Sequence, residues 1–230
     1  MKSFSRNRVL LIGMALVLVT VTFLLAKNAQ TQAVTKQPSQ GPDPVVVALR
    51  RGGLKEAAKL KGHYVGIERT SDWGKYSLES LAQASSIIVV GTPILSSAKV
   101  VGVDNDRIVS EQLVRVDQVL KGNLHENGLV TVAIPGGKVT FEDGTSAEIK
   151  TPDLGPIEQF GKYVLFLKPS SDTANVYVLT GGGQGMFELS ADSLIKPRGS
   201  KADTVQKYKN QKVSDFLEQI RKAVKENPAQ

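Results

Sequence analysis

The sequence contains no cysteine. That absence excludes disulfides, thiolate metal sites, a cysteine nucleophile and the lipidated cysteine of a bacterial lipoprotein. Histidine is almost as scarce. His63 and His125 are the only 2, far apart and in no His-x-His or His-x-x-x-His pair, which leaves a zinc-type centre without ligands. There is no Asn-x-Ser/Thr sequon and no Gly-x-Ser-x-Gly elbow. Ser96 and Lys99 have the Ser-x-x-Lys spacing, but they follow Pro93 in a strand-like context without a Ser-Asp-Asn or Lys-Thr-Gly partner, so they read as a chance match. Gly181, Gly182, Gly183 and Gly185 are followed by no Lys-Ser/Thr and no helix. They therefore read as a tight turn or bulge and not as a phosphate cradle.

A concentrated positive face is also missing. The net charge is +7, but Lys2, Arg6, Arg8 and Lys27 stand in the first 27 residues with no acid among them, leaving +3 for the rest. Only the mild cluster Arg50, Arg51, Lys55, Lys59 and Lys61 remains, too little for phosphate contacts along one face, so no nucleic-acid partner is expected.

What the chain does have is order. Residues 1–8 are short and basic, and residues 9–26 (VLLIGMALVLVTVTFLLA) carry no charge over 18 positions, which predicts a single membrane-spanning helix. Basic residues before the run put the N-terminus in the cytoplasm and the following domain outside it. Cleavage near Ala33, which would release the domain, is the alternative. A membrane-targeted chain without cysteines or sequons leans towards a bacterial envelope protein. Residues 27–44, rich in Gln, Thr, Ser and Pro, read as a flexible linker.

Residues 45–84 are a helical and aromatic lead-in. Asp43-Pro44 starts a helix, Gly52-Gly53 interrupts it, Leu54–Leu60 resumes it and Gly62 stops it. His63–Tyr76 has the most ligand-like composition of the chain, with Trp73 and Tyr76 as contact candidates; packing of these rings against one end of a sheet is the plainer reading. Ser77–Ala82 reads as one or two helical turns.

Residues 85–190 read as sheet. The buried run Ile87–Gly91 opens it, and Ala98–Val103 resumes after the break at Pro93. Along Val109–Leu120, Val114 and Val116 alternate with Arg115 and Asp117, and the parity then fails at Val119, which predicts a β-bulge at Asp117-Gln118. Leu129–Pro135 follows, with Val130, Val132 and Ile134 on one face. Lys138–Lys150 reads as a hairpin with an odd-length loop that sets Phe141 against Ala147. A Pro-rich crossing, 151–160, leads to Tyr163–Leu167, an apolar run too short for a helix and therefore a strand buried on both faces. Val176–Leu179 and Met186–Leu189 complete the set. Residues 191–230 hold a weakly patterned tail and a closing amphipathic helix capped by Ser214, with Phe216, Leu217, Ile220 and Val224 in one stripe.

The succession SSIIVVGTP, VRVDQVLKG, VTVAIPGGKV, GKYVLFL, LTGGGQGMFEL resembles a group of uncharacterised bacterial envelope proteins that share this order of motifs. More distantly, the opening pair of strands resembles the OB-type barrel of netrin-like modules and tissue inhibitors of metalloproteinases. The resemblance implies an OB-like antiparallel β-barrel of about five or six strands and no catalytic residue. The metal-chelating N-terminal cysteine of those inhibitors has no counterpart here, so inhibition does not carry over.

The expectation is a mainly β, membrane-anchored, extracytoplasmic binding or protein-interaction module, not an enzyme, with no cofactor and no metal. Its partners would be the membrane, through residues 9–26, and an envelope protein or polymer. On the OB analogy, contact falls on the outer or concave face of the second and third strands and on the adjoining loops, which nominates Arg115, Asp117 and Thr131, together with the hairpin tip at Glu142 and Asp143. The alternative is a cell-envelope hydrolase using loop carboxylates such as Asp104, Glu142 and Asp153, with or without calcium.

Overall fold

The computed structural model describes residues 42–68, 74–155, 157–199 and 203–226. The expected span at 9–26 and Trp73 lie outside these residues. Among the described residues no helix is long and apolar enough to cross a membrane.

Helix α1, Pro44–Lys61, begins at the expected proline and is broken at its expected glycines. Gly53 has φ 68° and ψ −152°, a conformation closed to side-chain-bearing residues, and a Cβ there would collide with the carbonyl oxygens of Asp104 and Asn105. That close approach lets Leu54 N donate to Asn105 O at 2.9 Å, which satisfies an amide at the start of the second helical half. Leu54 packs on Ile108, Ala147 and Ile149.

Three strands lie beside it. β1 (His63–Ile67), β5 (Gly137–Thr140) and β6 (Ser146–Lys150) form a sheet of order β1-β6-β5, with β1 parallel to β6. The lead-in is therefore not purely helical. The short run HYVGI becomes a strand because β6 offers it an edge. The hairpin loop is odd, as expected, but Ala147 faces Val139 and not Phe141. Phe141 pairs across the three-residue loop with Thr145, and Gly144 takes φ 82° in the manner of a G1 bulge.

The larger sheet has seven strands: β2 (Ile87–Val101), β3 (Arg107–Lys121), β4 (Leu129–Pro135), β7 (Lys162–Pro169), β8 (Val176–Leu179), β9 (Met186–Leu189) and β10 (Ile195–Pro197). Their order is β10-β9-β7-β2-β3-β4-β8, and β7 also pairs with β8. Against the antiparallel expectation, β4 and β8 run parallel. β2 is one strand, in which the Ala98–Val101 stretch continues the run from Ile87 past Pro93. Pro93 is tolerated because pairing with β7 ends at Gly91, and a register shift between Pro93 and Leu95 absorbs the irregularity. The bulge expected at Asp117 is present: Gly91 pairs with Val116 and Val90 with Gln118, which leaves Asp117 unmatched. β10 arises in the tail that carried little pattern.

β7 and the first half of β2 are buried on both faces. Tyr163, Leu165 and Leu167 join Ile87 and Val89 in one core, with Val114, Val116, Val130 and Val132. Val164 and Phe166 join Ile88 and Val90 in another, beneath helices α2 (Leu78–Ala84) and α4 (Val213–Glu226). Two-sided burial explains why these strands read as unbroken apolar runs. Phe216 and Ile220 anchor α4, and Phe216 meets Phe187 at 4.8 Å between ring centroids. Ser214 lies inside that helix instead of capping it. A short helix α3, Asp203–Gln206, precedes it.

Candidate functional site

Strand registers bring together a set of side chains on the outer face of β2, β3 and β4. Val114, Val116, Val130, Val132 and Ile134 fill the inner face, so the residues between them point the other way. One cross-strand row runs Thr92, Arg115, Leu129; the next runs Leu95, Leu113, Thr131, Val176. Leu95 is 58% exposed and Leu129 56%. The shift after Pro93 keeps Thr92 and Leu95 on the same face although three positions separate them.

Polar groups border this apolar strip. Asp117 accepts hydrogen bonds from Thr92 Oγ1 at 2.8 Å and Arg115 Nε at 3.2 Å, and Lys162 Nζ stands 3.7 Å away. Burial pushes the Asp117 carboxyl up, but the Thr92 and Arg115 hydrogen bonds and the Lys162 charge outweigh it and hold the group below the ordinary aspartate range. The bulge turns Asp117 towards Thr92, so the irregularity in β3 is what assembles the cluster.

Phe160 lies beside β2 at Pro93. It takes φ 64° and is 73% exposed, while its amide donates to Pro93 O at 2.8 Å. A bulky residue in the left-handed region is an outlier, and an exposed one gains no burial in return. On the opposite flank the third row, Ser97, Glu111, Ala133, Val178, runs into a cavity of about 330 Å³ beside the β7–β8 turn. Pro135, Leu154 and Leu179 give it an apolar lining, with Lys168 and Asp172 among its polar residues.

The sequence candidates divide. Arg115, Asp117 and Thr131 lie in or beside the rows above. Glu142 and Asp143 sit in the β5–β6 hairpin loop of the three-stranded sheet, and no strand register brings them to this face. Asp143 Oδ1 accepts from Thr145 N at 3.0 Å and Thr145 Oγ1 at 2.6 Å, which stabilises the hairpin loop; these bonds hold its carboxyl below the usual range. Tyr76 is half-buried, with its ring over Gly181. The buried Gln184 amide fixes that segment, donating to Gly74 O at 2.9 Å and accepting from Tyr76 N at 3.0 Å. The glycine run is thus a 3-10 turn, Gly182–Gly185, that seats the aromatic lead-in. Leu95, Leu113, Leu129 and Phe160 were not singled out in the sequence, although the inward phase of Val114 and Val130 already places Leu113 and Leu129 outside.

Asp104, Glu142 and Asp153 are exposed and sit on three separate loops. Among the described residues no group of three or more His, Cys, Asp or Glu side chains is placed to hold a metal ion. A different set of charges converges elsewhere. A cavity of about 370 Å³ between α1, β1 and the β2–β3 turn is lined by Arg50, Tyr64, Glu68, Asp104, Asp106 and Arg107, with apolar neighbours. Burial pushes the Glu68 carboxyl up; Arg107 opposes this and Asp106 adds to it. No protein-family model matches the chain, and no curated protein matches it.

Proposed function

We propose that this chain is a membrane-anchored, extracytoplasmic binding module of OB-like barrel architecture that holds a protein partner of the cell envelope on the outer face of β2, β3 and β4. The observation that carries the reading is the strip formed by exposed Leu95 and Leu129 and half-buried Leu113 beside the Arg115–Asp117–Lys162 cluster, with exposed Phe160 bonded to Pro93 of the same strand as Leu95. Exposed apolar side chains next to an arginine, with a cavity at one end for an anchoring side chain, have the make-up of an interaction surface.

The barrel reading rests on the cycle of pairings β7-β2-β3-β4-β8-β7, five strands with one parallel contact, which is the ring an OB barrel requires. β9 and β10 extend β7, and α2 and α4 cover that side, which leaves the face of β2 to β4 for a partner. The anchor reading rests on the uncharged stretch 9–26 behind basic residues, and the bacterial envelope setting on that stretch together with the lack of cysteine.

The test is capture of the full chain from its own membranes in mild detergent, beside a Leu129→Glu/Arg115→Glu variant that folds normally by circular dichroism. A partner retained by the native chain and lost by the variant supports the reading. A partner held equally by both moves the contact surface elsewhere, and no partner for either removes the interaction role.

A further inference from the structure

The cavity at α1, β1 and the β2–β3 turn lies apart from the β2–β4 face and has its own chemistry. Its wall carries two guanidinium groups, Arg50 and Arg107, and three carboxylates, Glu68, Asp104 and Asp106. Among the described residues none of these five takes part in an ion pair. One oxygen of Glu68, Oε2, is buried and accepts no hydrogen bond among the described residues. A buried acceptor without a donor has lost its water without compensation, so a donor supplied from outside is favoured there.

The backbone holds these groups in place. Glu68 N donates to Lys150 O at 2.9 Å, continuing the β1–β6 ladder by one residue. Gly102, at φ 96°, has no Cβ; one would stand 2.5 Å from Asp106 Oδ1 and 3.4 Å from Arg107 Nε, so the bare glycine is what allows those two charges to lie over the turn. Gly66 does the same for the apolar wall. A Cβ there would come within 2.7 Å of Ile149 and 3.0 Å of the Tyr64 ring. Two of the exposed apolar residues, Val46 and Ile67, also line this cavity.

We propose that this cavity binds a small zwitterion, a molecule with a primary ammonium and a carboxylate on an apolar body, with Glu68 and Asp106 receiving the ammonium and Arg50 and Arg107 the carboxylate. A simple anion would face three carboxylates, and a simple cation two guanidinium groups. An uncharged apolar ligand would leave the Glu68 oxygen unpartnered. A ligand carrying both charges satisfies both sets, and about 370 Å³ admits an amino acid or a dipeptide. Bidentate guanidinium–carboxylate pairing supplies the orientation.

The test is calorimetric titration of the full chain in mild detergent with L-leucine and L-leucyl-L-leucine, each beside its N-acetylated and C-amidated form. Saturable binding of at least one zwitterion, weakened about tenfold or more by blocking either end, is expected, as is a similar loss in Glu68→Gln and in Arg107→Gln. Thermal melts identify any variant that fails to fold; the blocked ligands then carry the test on the native chain. No saturable binding at millimolar concentration, or equal binding of blocked and free forms, overturns the proposal. Since the readout is small-molecule binding away from the β2–β4 face, either outcome is independent of partner capture.

Discussion

Phe160 is held in the left-handed region by its bond to Pro93 while the residue is 73% exposed. Stability alone gives no reason to keep an aromatic there. Phe160→Gly is expected to raise stability by about 1 kcal/mol, because glycine adopts that φ without the Cβ penalty, and at the same time to weaken partner capture. Urea denaturation beside the capture assay checks both. At Asp117 the direction of the pKa shift sets a pH dependence. Its folded pKa is depressed, so its stabilisation is present above the unfolded value of about 3.9 and is lost as pH falls through the lower, folded value. Thr92→Val removes a donor to the charged form, and an expected loss of about 1.5–3 kcal/mol at neutral pH should disappear in strongly acid solution. An equal loss at both pH values would show that the hydroxyl matters only through packing. Neither residue's role was legible in the sequence. Phe160 owes its conformation to a distant carbonyl, and the Thr92 hydroxyl meets Asp117 only after bulges in two strands have set their register.

At the scale of elements, the apolar period carried most of the information. The bulge at Asp117 was legible because Val114, Val116 and Val119 cannot share a face without an extra residue. The hairpin loop's odd parity was legible for the same reason, but the partner of Ala147 was not, since Val139 and Phe141 are equivalent by alternation and a G1-type loop selects between them. β1 and β10 escaped notice because each is short and exists by pairing with a neighbour, β6 or β9, which local composition does not report. The break in α1 was legible as Gly52-Gly53, although its purpose was not. Gly53→Ala should cost more than the strain of about 1–3 kcal/mol, since the added Cβ also meets the Asp104 and Asn105 carbonyls. Faster hydrogen exchange at Leu54 NH and a lowered Tm with unchanged helix content are the expected signs; a Tm like that of the native chain would show that α1 docks without this contact.

For the molecule as a whole, the two-sided burial of β2 and β7 divides the larger sheet's surroundings into a helix-covered side and the β2–β4 side. Missing residue types bear only on thiol chemistry and paired-histidine metal sites, because the chain has no cysteine and its 2 histidines stand far apart in the sequence. The proposed contact face rests on a fold analogy, which named Arg115, Asp117 and Thr131 but not the leucines that share their face. Glu142 and Asp143 were nominated with these residues but lie in the hairpin loop of the other sheet. The measurement that bears most directly on the binding role is photo-crosslinking in intact cells from a benzophenone side chain at position 129, with position 222 on the exposed side of α4 as the control. A single discrete adduct from position 129 and none from position 222 is the predicted result. Adducts from 222 alone, or from neither position, would contradict an interaction surface on the outer face of β2, β3 and β4.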